Sequence, residues 1–83
     1  MKALVEIFYK DSVFDPQGNT ISESLKRLGY KRVKDVRIGK LIQLQLDNEG
    51  QSTADARRDI KEMCDKLLAN PVIESYRFKL DEN

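Results

Sequence analysis

The sequence contains no histidine and only one cysteine among its 83 residues. Without histidine, the commonest general base, proton shuttle and metal ligand is missing. One cysteine with no histidine beside it cannot build a zinc site of ordinary composition. Nor can it close an internal disulfide, which points to a reducing compartment, the cytoplasm. No apolar run approaches the roughly 20 residues that span a bilayer, so no membrane role is expected. The opening MKALVEIFYK is too short and too interrupted for a signal peptide. An excess of one charge is lacking as well. Fifteen basic and fourteen acidic residues leave +1, a balance that draws the chain toward neither nucleic acid nor an anionic membrane. This inventory speaks against chemistry carried out by the chain alone.

What is present fits a single domain, residues 1–83, at the small end of what folds by itself. KALVEIFYK, residues 2–10, reads as a strand with Ala3, Val5, Ile7 and Tyr9 on one face. Leu4 and Phe8 give the other face apolar character too, as in a central strand or one at a subunit contact. Asp15 followed by Pro16 is a helix start: a side-chain acceptor at the N-cap, then a residue without N–H. Thr20 and Glu23 offer a second start of capping-box type. Ile21, Leu25 and Leu28 form one apolar stripe before Gly29, so helix one is placed at about 16–28. Extended character follows from Val33 to Asp47, then a turn, DNEGQS. Helix two spans Thr53 to Ala69, with Ala56, Ile60, Met63, Cys64, Leu67 and Leu68 on one face. Asn70 and Pro71 end it, and VIESYRFKL closes as a strand in which Glu74 breaks the apolar phase. The order is β-α-β-α-β in the α+β class. LGYKRVKDVRI and LANPVIESYRF echo one another faintly, as a two-fold repeat of a ferredoxin-like antiparallel sheet would.

DVRIGKLIQLQL, residues 35–46, sets the main question. Val36, Ile38, Ile42, Leu44 and Leu46 share one face, with Lys40 in the same row and Gly39 before it. A P-loop is excluded, because Lys34 and Leu41 stand where it needs a glycine and a hydroxyl residue. A two-residue hairpin at Gly39-Lys40 would set apolar residues opposite polar ones beyond its first pair. A continuous strand of about 15 residues would run roughly 50 Å, far beyond an ordinary strand. Part of it must therefore project, bending at Gly39. Ile42, Leu44 and Leu46 are then the candidate strand for an oligomer contact. Lys40 must be paired or reach water, because an unpaired buried ammonium costs several kcal/mol.

Three stretches stand in a telling order: DPQG at 15–18, DVRIGK at 35–40 and MCDKLLANPVIESYRF at 63–78. Together they resemble the PurS family, the small subunit of phosphoribosylformylglycinamidine synthase, over essentially the whole chain. The resemblance implies a non-catalytic subunit in purine biosynthesis, part of a ligase complex that uses ATP, Mg and glutamine. It implies association with itself, as a dimer or tetramer, and with a glutaminase subunit (PurQ) and a large synthetase subunit (PurL). It implies a bridging role that assists ammonia transfer, with no cofactor held by this chain. Asp15, Pro16, Gln17 and Gly18, and Asp35, Arg37, Gly39 and Lys40, then become candidate partner contacts. Each has a plainer reading. Asp15 and Pro16 suffice to start a helix, though Gly18 is a poor residue for a first helical turn. Asp35 and Arg37 suit a solvated polar face as well as an interface anchored by arginine. Cys64 suits a core position. Two rivals have the same element order: an ACT-like module binding a small molecule, and an RRM-like RNA binder. Neutral charge and the missing aromatic motif argue against the latter.

Overall fold

The computed structural model describes residues 1–47, 50 and 52–81. Asn48, Glu49 and Gln51 of the DNEGQS turn lie outside the described residues, as do Glu82 and Asn83. The elements are β1 (Lys2–Tyr9), α1 (Pro16–Arg27), β2 (Gly39–Gln45), α2 (Thr53–Met63), a π-helical segment (Cys64–Leu68) and β3 (Glu74–Asp81). Both β2 and β3 pair antiparallel with β1, so the sheet runs β2-β1-β3 with the first strand in the middle.

The register makes one apolar layer. Val5 stands opposite Ile42 on one side and Phe78 on the other, and Ala3 opposite Leu44 and Leu80. Alternate strand residues share a face, so all of these point the same way. α2 lies over that layer. Val5, Ile60 and Cys64 are fully buried, and Ala56 nearly so. Burial pushes the Cys64 thiol above its ordinary pKa, as befits a small core hydrophobe. The last turns of the expected single helix are widened. The Ala69 N–H donates to the Cys64 carbonyl at 3.1 Å, five residues back, which is a π-helical bond.

The sheet's other face has no helix among the described residues. Leu4 and Phe8 are half-buried there, and Leu41 is exposed. Arg77 covers part of it. Its guanidinium sits 5.6 Å from the Phe8 ring centre and 3.0 Å from a Glu6 carboxylate oxygen.

α1 begins where the Asp-Pro pair places it. Asp15 has extended backbone angles and caps the helix, and Pro16 is its first residue. The Thr20 start is not used: its hydroxyl donates to the Pro16 carbonyl at 3.0 Å, inside the helix. The apolar stripe of α1 stays largely outside. Leu28 is 74% exposed and Ile21 41%, and no α1 side chain joins the core cluster among the described residues.

The long strand is divided. The ladder opens at Gly39, and residues 33–38 have no strand partner. Ile42, Leu44 and Leu46, expected to need a partner's cover, pack half-buried against the chain's own core. The projecting half is the other one, together with α1. The radius of gyration is 16.5 Å, against about 12 Å for a compact chain of this length, and the longest dimension is 54 Å.

Candidate functional site

The DPQG and DVRIGK stretches meet at one end of the sheet, where α1 departs and β2 begins. Asp15 holds the two together. Only 3% of its surface is exposed. One carboxylate oxygen accepts the Gly18 N–H at 2.9 Å, and the other accepts the Ile38 N–H at 2.7 Å. The first bond caps the helix; the second ties it to a residue 23 positions later. The Ile38 N–H, then the Gly18 N–H, hold the Asp15 carboxyl below the usual carboxylate range, and the Arg37 charge adds to this.

Gly18 and Gly39 are set by close backbone approach. A Cβ on Gly18 would fall 2.9 Å from the Val36 carbonyl carbon and nearer still to its oxygen. Helix and returning chain therefore touch backbone to backbone, which only glycine permits. A Cβ on Gly39 would lie 2.6 Å from the Ile7 carbonyl oxygen. The glycine that looked like a bend in a strand opens the β1–β2 ladder instead.

Arg37, though exposed, reaches back to the loop before α1. Its guanidinium donates to the Lys10 carbonyl at 2.9 Å and the Val13 carbonyl at 2.7 Å. Asp35 is exposed and forms no ion pair with it. Lys40 both pairs and reaches water. Its side chain is 70% exposed, and its Nζ lies 3.9 Å from the carboxylate of Glu74 on β3. Glu74, the residue out of phase in its strand, also accepts the Asn70 N–H at 2.7 Å. Gln17 and Pro16 are exposed beside this junction.

Of the eight candidate contact residues, Asp15, Gly18, Arg37 and Gly39 thus have internal tasks in shaping the junction. Gln17, Asp35 and Lys40 present polar groups outward from it. No local pattern marks Ile38, Lys10 and Val13 as the partner groups, because these bonds join positions 23 to 27 residues apart. A second polar cluster lies at the other helix. The Tyr76 hydroxyl donates to Asp65 at 2.7 Å, and Lys61 donates to the same carboxylate at 2.9 Å. The hydrogen bond to Asp65 raises the Tyr76 pKa. Among the described residues, no group of three or more acidic, cysteine or histidine side chains gathers as metal ligands would.

Comparison with known proteins gives this scaffold its family. A family model described as "PurS: Phosphoribosylformylglycinamidine (FGAM) synthase" matches residues 2–82. The chain is 44% identical over 81 residues to the phosphoribosylformylglycinamidine synthase subunit PurS of Bacillus subtilis, covering 98% of this chain and 93% of that one. A crystal structure of Methanocaldococcus jannaschii PurS, described as one of the subunits of formylglycinamide ribonucleotide amidotransferase, superposes with TM-score 0.86 at 38% identity, covering 99% and 96% of the two chains. A chain in the structure of PurLQS from Thermotoga maritima matches with TM-score 0.83 at 33% identity, covering 94% and 93%. With a family model spanning residues 2–82 and relatives matched nearly end to end, the chain belongs to the PurS family.

Proposed function

We propose that this chain is the non-catalytic small subunit of a phosphoribosylformylglycinamidine synthase, joining a PurL-type synthetase and a PurQ-type glutaminase in the cytoplasm. The observation that carries the reading is the end-to-end match to a chain from the PurLQS structure. The complex takes ATP, Mg and glutamine at sites on the larger subunits, and this chain binds none of them itself. Its part is to associate with itself and hold the two enzymes so that ammonia released from glutamine reaches the synthetase. The junction end faces a larger subunit. Gln17, Asp35 and Lys40 make the polar contacts, while Asp15, Pro16, Gly18, Arg37 and Gly39 fix the backbone that presents them.

Reconstitution tests this. Purified synthetase and glutaminase are assayed with and without the chain, using either glutamine or free ammonia as nitrogen donor. Glutamine-dependent product formation is expected to need the chain, and ammonia-dependent formation to need it much less. Glutamine-dependent turnover that is unchanged without the chain refutes the proposal.

A further inference from the structure

We propose that the cavity between α1 and the returning chain at residues 34–37 binds a phosphate group, held by Lys26 and Lys34 together with the Ser22 hydroxyl. The site belongs to this chain's own surface and stands apart from its place in the synthase. Asn19, Ser22 and Lys26 are three and four residues apart on α1, so they share one face. The close backbone approach of Gly18 to Val36 brings that face against the returning chain. Between the two lies a cavity of about 110 Å³, walled by these three α1 residues and, from the other side, by Lys34 and Arg37.

Ser22 separates this cavity from ordinary surface. The residue is only 6% exposed, yet its hydroxyl makes no hydrogen bond among the described residues. Thr20, two positions earlier on the same helix, donates to the Pro16 carbonyl. Among the described residues, no side-chain polar atom sealed from solvent lacks a partner, so the Ser22 oxygen opens into the cavity. A polar group this buried ordinarily has a partner, and here only an occupant of the cavity can supply it. The lysines are in the same position. Lys40, Lys61 and Lys66 each pair with a carboxylate, whereas Lys26 and Lys34 form no ion pair among the described residues.

Charge sets the sign of the ligand. Lys26, Lys34 and Arg37 outnumber the two carboxylates on the wall, Asp15 and Asp35. Both Asp15 oxygens already accept N–H groups, from Gly18 and Ile38, so the site is a poor one for a metal cation. Size sets the class. Sites for whole organic ligands run to roughly 300–1,000 Å³; this one admits a phosphate group and leaves any larger remainder outside. An anion shared by Lys26 and Lys34 would tie α1 to the returning chain a second time, beyond the tie at Asp15.

Titration of the whole chain with inorganic phosphate, followed through its amide resonances by two-dimensional NMR, tests the proposal. Ionic strength is held constant with chloride, because exposed lysines attract any anion weakly. Saturable shifts are expected at residues 19–26 and 34–37. Lys26→Gln and Lys34→Gln should each weaken binding at least about tenfold, as loss of a charge-assisted hydrogen bond does. Ser22→Ala should weaken it about threefold or more, and Lys66→Gln should leave it unchanged. Thermal unfolding without phosphate checks that each variant keeps the fold. A second titration, with glycerol phosphate, separates the sources. Binding of both supports the site and makes it a receptor for a phosphate-bearing molecule; binding of phosphate alone supports it and assigns the free ion. Shifts that do not saturate, that spread over the surface lysines, or that survive both lysine changes would overturn the proposal, as would a response to Mg²⁺ in place of phosphate. None of these outcomes bears on the reconstitution of the synthase.

Discussion

Replacing Gly18 by alanine sets two opposed effects against each other. Gly18 lies in the first turn of α1, and intrinsic helix propensity favours alanine over glycine by about 1 kcal/mol. On propensity alone, the substitution should stabilise. The added methyl, however, would sit 2.9 Å from the Val36 carbonyl carbon. The obstacle is main chain, so no side-chain rotation relieves it. Overfilling a packed site commonly costs about 1–3 kcal/mol, and an immovable neighbour puts Gly18→Ala toward the upper end. The net expectation is a loss of about 1–2 kcal/mol, or a melting temperature lower by roughly 5–10 °C for a domain of this size. The displaced carbonyl would also pull Ile38 away from Asp15. Thermal unfolding followed by circular dichroism at fixed protein concentration gives the answer. Ser24→Ala, exposed in the same helix, is the control and should be neutral or gain a few tenths of a kcal/mol, about the propensity difference. A Gly18→Ala protein as stable as the wild type, or more so, would refute the backbone-contact account.

The junction also sets a pH response. A carboxyl whose folded pKa lies below its unfolded value stabilises the fold above the unfolded pKa, and this is lost as pH falls through the folded one. Asp15 is held low by the Ile38 and Gly18 N–H groups, so stability should fall on the acid side of the ordinary carboxylate range. Asp15→Asn should flatten that limb in urea titrations between about pH 5 and 2, and an unchanged limb would rule Asp15 out as its source. Lys40→Ala should change stability by less than about 0.5 kcal/mol, because an exposed pair at 3.9 Å contributes little. A larger loss in the isolated protein would mean that the Glu74 contact is stronger than its geometry implies. Cys64 should resist a thiol reagent in the native protein and react only as the fold opens, since it is fully buried. Rapid labelling under native conditions would contradict that placement.

Much of this architecture was legible from local chemistry. Asp15 and Pro16 marked the start of α1, and the stripe ending at Leu28 marked its length, because capping and period are properties of neighbouring residues. Alternation in residues 2–10 identified a strand, and Cys64 fell on the apolar face of its helix. What stayed hidden is long-range. Period two in residues 33–46 says which face each residue shows and not whether a neighbouring strand exists, so the pattern suits one long strand although only its second half has a ladder. The roles of Asp15 and Gly18 toward Ile38 and Val36 could not be read either, since nothing in either stretch encodes their meeting. The widened turn at Cys64–Leu68 has no breaker residue to announce it. Glu74 breaks the apolar phase of its strand, and the reason is again structural: it accepts the Asn70 N–H and approaches Lys40. The eight junction candidates came from resemblance to a family, whereas Ile42, Leu44 and Leu46 came from strand length and pattern; spacing alone would not have separated the junction residues from ordinary surface.

The strand order has a consequence for how the chain is made. β1 is synthesised before both strands it pairs with, yet it lies between them: Phe8 waits for Gly39, and Lys2 waits for Asp81. Until those arrive, Val5 and Ile7 have neither ladder partners nor a covering helix. Contacts of such sequence separation slow folding, and an unpaired apolar strand is what chaperones and aggregation compete for. The last eight ladder residues are therefore as necessary as the first. A chain that stops short of β3 leaves its central strand with one bare edge, and truncation there should yield insoluble protein rather than a smaller domain.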